Sequence, residues 1–233
     1  MRILIIDQCS NSKSYPEESV AFDASEIDDA GLDALRGRED AVSIPARKLY
    51  AGRQQQYVSD AVDSLRGNGH NVDRYFVSAG FGLVEENEEL PPYNVTFANM
   101  TASEIESRAV TLELKDRTRD TISSEPYDII FFALGSDYYR AIDLPETLSA
   151  VPEGTTGVTF NQEEVAEQYG NVISVPARTE QAKEYGTIVV ALKGIYLKNF
   201  ANNLARGSEP TSSVDVRSDC LEEPTSQKDL SEF

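Results

Sequence analysis

Cys9, Ser10, Asn11, Ser12 and Lys13 follow directly on the apolar run Ile3-Leu4-Ile5-Ile6. A thiol, two hydroxyls, an amide and an amine thus share one short loop. Two chemistries suit it. Cys9 could be a nucleophile, its thiolate favoured by Lys13 and a helix start. Alternatively, backbone amides, hydroxyls and Lys13 could hold a phosphate or carboxylate. The inert reading of Cys9 is a small buried residue at a strand end. No Gly-x-x-x-x-Gly-Lys-Ser/Thr pattern occurs, so the loop is not a nucleoside-triphosphate loop. The single histidine, His70, lies in the Gly67-Asn68-Gly69 turn before a later strand. That is the wrong end of a parallel sheet, which argues against a Cys-His or Ser-His-Asp mechanism.

Two further segments carry similar residues. Ser78-Ala79-Gly80-Phe81-Gly82-Leu83 ends an apolar run. It resembles a dinucleotide fingerprint only superficially, lacking the third glycine and the first-strand position. A tight turn with positive φ is the plainer reading of Gly80 and Gly82. Gly135-Ser136-Asp137-Tyr138-Tyr139 follows another apolar run. Tyr50, Tyr93, Tyr138 and Tyr139 could stack on a ring or pack the core. No His/Cys cluster occurs and the carboxylates lack ligand-like spacing, so neither a metal nor another cofactor is expected.

These loops need elements to position them. The β-branched run at the start reads as a strand covered on both faces, residues 1–7. Residues 17–43 are acidic and rich in small residues, with Phe22, Ile27, Leu32 and Leu35 as a weak apolar pattern: a surface excursion with a short helix. Pro45 opens a helix to about Arg66, with Leu49, Tyr57, Val58, Ala61, Val62 and Leu65 at helical spacing. Strands follow at 72–78, 128–134, 155–160 and 172–175. Thr101 with Glu104 marks a capping box for a helix to about Ser123. Residues 179–206 read mainly as helix, although Gly186 and Gly194 leave 187–192 open as a strand. Residues 208–233 are polar and read as a disordered tail. Alternating strands and helices imply one α/β domain over 1–207, a three-layer, mostly parallel open sheet with helices on both faces. The three polar loops then share one sheet edge, where such folds bind ligands.

Composition bounds the rest. The 233 residues suit one sizeable core. Forty Asp/Glu against 21 Lys/Arg leave a net charge of −19, spread along the chain. Spread acid points to adaptation to high salt, where screening suppresses self-repulsion. Net negative charge disfavours phosphate contacts, but in molar salt counterion release contributes little, so nucleic acid stays open as a partner. Two cysteines, Cys9 and Cys220, suit a reducing cytoplasm. No apolar segment reaches about 18 residues, so no membrane span is expected.

The blocks Cys9-x-x-x-Lys13, Pro45-Ala46-Arg47-Lys48-Leu49-Tyr50-Ala51-Gly52, Ser78-Ala79-Gly80-Phe81-Gly82-Leu83, Pro92-Tyr93 and Gly135-x-x-Tyr138-Tyr139 resemble a family of uncharacterised prokaryotic and viral α/β domains. The order and spacing agree over about residues 3–145. Cys9 to Tyr15 also resembles the Cys-x-x-x-Lys-Pro-Tyr motif of archaeosine synthase, which modifies a deazaguanine base in transfer RNA. Ser14 replaces the proline, the downstream serine and histidine are not cleanly reproduced, and the other domains are absent. The chain is therefore not that enzyme. The resemblance implies a Rossmann-like or uracil-DNA-glycosylase-like fold and a base-handling domain. On that reading the expected function is an enzyme acting on a nucleobase, nucleotide or nucleic acid. Cys9 and Lys13 are its catalytic candidates. Ser10, Asn11, Ser78, Gly80, Gly82, Tyr93, Gly135 and Tyr139 are its ligand-binding candidates. A non-catalytic nucleotide sensor and an enzyme with an unrelated small substrate are the alternatives.

Overall fold

A computed structural model describes residues 1–223. The chain runs β1 (Arg2–Gln8), α1 (Ala24–Ala30), α2 (Leu32–Arg36), β2 (Ile44–Pro45), α3 (Ala46–Leu49), α4 (Arg53–Gly67), β3 (Asn71–Ser78), β4 (Gly82–Glu85), β5 (Glu89–Leu90), a 3-10 turn (Phe97–Asn99), α5 (Ala102–Thr111), α6 (Leu114–Ser123) and β6 (Ile129–Ala133). It continues α7 (Ser136–Ala141), α8 (Leu144–Leu148), β7 (Thr156–Phe160), α9 (Glu163–Ala166), β8 (Val172–Val175), α10 (Thr179–Glu184), α11 (Val189–Ala205) and α12 (Ser213–Leu221).

Six strands form one sheet in the order β4-β3-β1-β6-β7-β8, parallel except for the β3–β4 hairpin. The fold is thus the expected three-layer α/β architecture. Side chains alternate across the sheet. Leu4 and Ile6 of β1 join Phe76, Ile130 and Phe132 in one core beneath α1, α5, α6, α7 and α8. Ile3 and Ile5 join Ile129, Phe131 and Ala133 in the other, beneath α4, α11 and α12. Burial on both faces is why β1 shows an unbroken apolar run rather than alternation. The crossover from β1 runs outward to β3 and carries α4 on one face, whereas that from β6 runs outward to β7 through α7 and α8 on the other. Connections diverging in this way open a crevice between the C-terminal ends of the two strands.

Several expected elements are broken where the backbone turns. The helix expected from Pro45 is two: α3 ends at Tyr50, whose ψ of 98° is extended, and α4 restarts after Gly52. The residues between pair with the first loop, through Ala51 N–H to Ser12 O at 3.1 Å and a Lys13–Tyr50 bridge. The helix from Thr101 has its capping box with Glu104, but Glu113 at φ 52° divides it into α5 and α6. Ser78 to Leu83, expected as a loop after the strand, turns tightly into a further strand, β4, with Ser78 opposite Gly82. Gly82 takes φ 80° there. Residues 187–192 include the start of α11, not a strand, and Gly186 at φ 58° separates α10 from it.

The expected disordered tail is corrected in part. Residues 213–221 form α12, with a capping box at Ser212 and Asp215 and with Val216 and Cys220 buried. Asn199 and Asn203 of α11 donate to Cys220 O and Asp219 O at 3.2 and 3.0 Å. Local polarity hid a helix that buries only two side chains. The rest of that expectation, residues 224–233, lies outside the described residues.

Candidate functional site

At the crevice, three side chains from three elements hold the last residue of β6 and the two that follow it. Gln54 of α4 donates to Ala133 O at 2.7 Å, Lys193 of α11 donates to Leu134 O at 2.7 Å, and Gln8 Oε1 accepts from Gly135 N–H at 2.7 Å. Beneath them sits Asp7, with no exposed surface. It accepts from Arg74 at 2.7 Å, Gln54 at 2.7 Å and Gln8 N–H at 2.8 Å. Arg74 also donates to Ser59 Oγ at 2.9 Å. Arg74 is thus paired with a buried carboxylate whose charge Lys193 also feels without touching it. Burial pushes the Lys193 amine down to about 8, and the attraction of Asp7 opposes this only in part.

On the other face of the sheet edge, Cys9 N–H bonds Val77 O at 3.0 Å, which ties the first loop to β3. The Tyr138 hydroxyl donates to Cys9 O at 3.1 Å and lies 3.1 Å from Cys9 Sγ. Lys13 Nζ stands 4.2 Å over the ring of Tyr93. The Tyr93 hydroxyl is 2.7 Å from that of Tyr50 and 2.8 Å from Ser78 Oγ. Ser78 Oγ in turn accepts from Gly80 and Phe81 N–H at 3.2 and 3.1 Å. Burial holds the phenols of Tyr50, Tyr93 and Tyr138 well above the usual range, so all three stay neutral hydrogen-bonding groups. Burial lowers the Lys13 pKa, and the neighbouring Cys9 opposes this only in part. Among the described residues Lys13 has neither a hydrogen-bond nor an ion-pair partner. Such an amine is poised to meet a polar ligand or to give up its proton.

The expected site residues fall into three groups. Cys9, Lys13, Ser78 and Tyr93 come together, with Gly80 against them: a Cβ there would lie 2.7 Å from the Tyr93 ring. Ser10, Asn11 and Gly135 are at the margin. Ser10 Oγ accepts from Ser12 N–H at 3.1 Å, and Asn11 Oδ1 accepts from Thr96 at 2.6 Å. Gly82 and Tyr139 serve the frame. Gly82 makes the hairpin turn. The Tyr139 hydroxyl donates to Phe132 O at 2.8 Å and accepts from Phe160 N–H at 2.9 Å, tying β6 to β7.

Sequence reasoning missed Asp7, Gln8, Gln54, Arg74 and Lys193. Their signal was a polar residue set in an apolar pattern: Asp7 closing the Ile/Leu run, Arg74 between Val72 and Phe76, Lys193 after Leu192 on the buried stripe of α11. Among the described residues no group of three or more His, Cys, Asp or Glu could hold a metal. No described helix is long and apolar enough to cross a membrane.

The profile of a family of unknown function (DUF6884) matches residues 36–165. The match takes in Tyr50, Gln54, Arg74, Ser78, Tyr93, Gly135 and Tyr138 and begins after Cys9 and Lys13. No curated protein matches the chain.

Proposed function

The chain belongs to this family of unknown function, whose profile spans more than half of its 233 residues, and we propose that it binds and acts on a nucleobase, nucleotide or similarly small polar ligand. The ligand sits where the ends of β1, β3 and β6 meet. Lys13 is the group that carries this reading. In a chain with 40 acidic residues its amine has no carboxylate partner among the described residues, yet it lies over an aromatic ring beside a thiol. In the proposed complex Lys13 orients an electron-rich edge of the ligand. Ser78, Tyr50 and Tyr93 supply neutral donors and acceptors, and Cys9 is the covalent candidate. The archaeosine synthase resemblance of the first loop supports a base as the ligand, and the spread acidity supports a high-salt setting.

A second reading rests on Cys9 itself. At 1% exposure, and within reach of the Tyr138 hydroxyl, it suits a pocket wall better than an attacking group. The domain would then sense its ligand without converting it.

One experiment separates these. Nucleobases, nucleosides and nucleotides are screened by thermal shift in molar KCl, with products followed by mass spectrometry. The expected result is stabilisation of the native protein by at least one class, lost in Lys13→Ala, with Lys13→Ala and Cys9→Ala both unfolding near the native temperature when ligand-free. Product formation lost in Cys9→Ala supports the enzyme, and stabilisation without product supports the sensor. Ligand effects unchanged by Lys13→Ala, or absent throughout, sink the site.

A further inference from the structure

We propose that a second site, a cleft of about 840 Å³ between the helix pairs α5–α6 and α7–α8, binds an organic cation that carries an apolar ring or chain. The volume lies within the roughly 300–1,000 Å³ of small-molecule sites. The cleft is distinct from the Lys13 site, with α7 as the wall between them. Tyr138 faces Cys9, whereas its neighbour Tyr139 lines the cleft.

The chemistry of the walls selects the ligand. Tyr139, Leu144, Pro145 and Val165 offer an apolar bed. Val110, at 78% exposure the most exposed large apolar side chain among the described residues, stands on the same lining. The charged lining consists of Glu106, Glu113, Asp116 and Asp143 against Lys115 and Arg140. Both cations are already held by acids of the same cleft. Arg140 pairs with Glu106 at 3.1 Å, and Lys115 faces Asp143 at 3.9 Å. Glu113 and Asp116 have no ion-pair partner among the described residues. An anionic ligand would have to break a pair and then lie against unpaired carboxylates. A cation meets those carboxylates directly and leaves its apolar part for the bed.

The backbone points to the same place. Three non-glycine residues among those described take positive φ: Glu113 at 52°, Asp143 at 51° and Asn161 at 57°. The first two bend the two helix pairs and line the cleft, and the third directly precedes Gln162 of its lining. Glycine would satisfy either bend with less strain. The chain instead carries a carboxylate at both, and local strain of this kind gathers at binding sites.

The test compares three indoles of one shape. Tryptamine is a cation, tryptophol is neutral and indole-3-acetate is an anion. Each is titrated calorimetrically into the full chain, at the lowest KCl concentration that preserves its near-ultraviolet circular dichroism. The expected order is tryptamine, tryptophol, indole-3-acetate, with tryptamine about fivefold tighter than tryptophol, roughly what one favourable exposed ion pair supplies. Glu113→Gln combined with Asp116→Asn should remove that preference and leave tryptophol binding unchanged. Both side chains are exposed, so the fold should tolerate the change. Lys13→Ala should leave all three affinities unaltered, which separates failure here from failure of the strand-end site. Equal affinities, no heat from any probe at millimolar concentration, or a tryptamine preference that survives the double variant would each overturn the proposal.

Discussion

Lys193 is a cation placed where cations are costly, 8% exposed and facing a backbone carbonyl rather than a carboxylate. Its folded pKa of about 8 lies below the ordinary value of 10.5. Below pH 8 both folded and unfolded chains are protonated there, and the burial cost is constant. Between pH 8 and 10.5 the unfolded chain binds more protons, so stability rises with pH. The displacement corresponds to on the order of 3 kcal/mol. The buried tyrosines act oppositely above pH 10, because the folded chain then keeps the extra protons. Urea unfolding from pH 7 to 10 should therefore show a rise in native stability that is missing in Lys193→Met. Parallel curves would refute the assignment. Gly80 gives a second test at this scale. A Cβ there meets a Tyr93 ring pinned by two hydroxyl contacts. Gly80→Ala should cost about 1–3 kcal/mol, as overpacking does, and should loosen the Lys13 contact as well.

Buried polar ties join the elements alongside the apolar packing. Arg74 of β3 and Asp7 of β1 pair at 2.7 Å, with 1% and 0% of their side chains exposed. Removing either partner leaves a buried charge, so Arg74→Met and Asp7→Asn should each cost roughly 3–5 kcal/mol. If the pair is the cause, a double-mutant cycle should give a coupling of about 1–3 kcal/mol, and additivity would rule it out. The last described helix invites its own test. Truncation after Gly207 removes α12 and uncovers the α11 face to which Asn199 and Asn203 bind it, so the thermal midpoint should fall. An unchanged midpoint would show that α12 contributes nothing. The breaks between elements were hard to read from the chain. Capping at Thr101 was legible because it depends on a local pair, Thr101 and Glu104. The bend at Glu113 was not, because a left-handed glutamate carries no compositional mark.

For the molecule as a whole, the net charge of −19 sets the expected response to salt. Screening shortens from about 10 Å at 0.1 M to about 3 Å at 1 M, which weakens repulsion among exposed acids. The thermal midpoint should climb by several degrees between those KCl concentrations. A flat or falling midpoint would count against the high-salt reading. What the sequence determined unaided was the layered architecture, since an unbroken Ile/Leu strand and alternating periodicities admit few other packings. It also determined that polar loops follow apolar strands, and hence that these loops gather along one sheet edge. Only the tertiary structure decided which of those residues meet. Lys13 found Tyr93, Cys9 found Tyr138, and Tyr139 became a tie between strands, because each contact spans many residues of chain and depends on register. The buried Asp7, Arg74 and Lys193 group was also settled there, since a charge's cost depends on its neighbours in space and not on those in sequence.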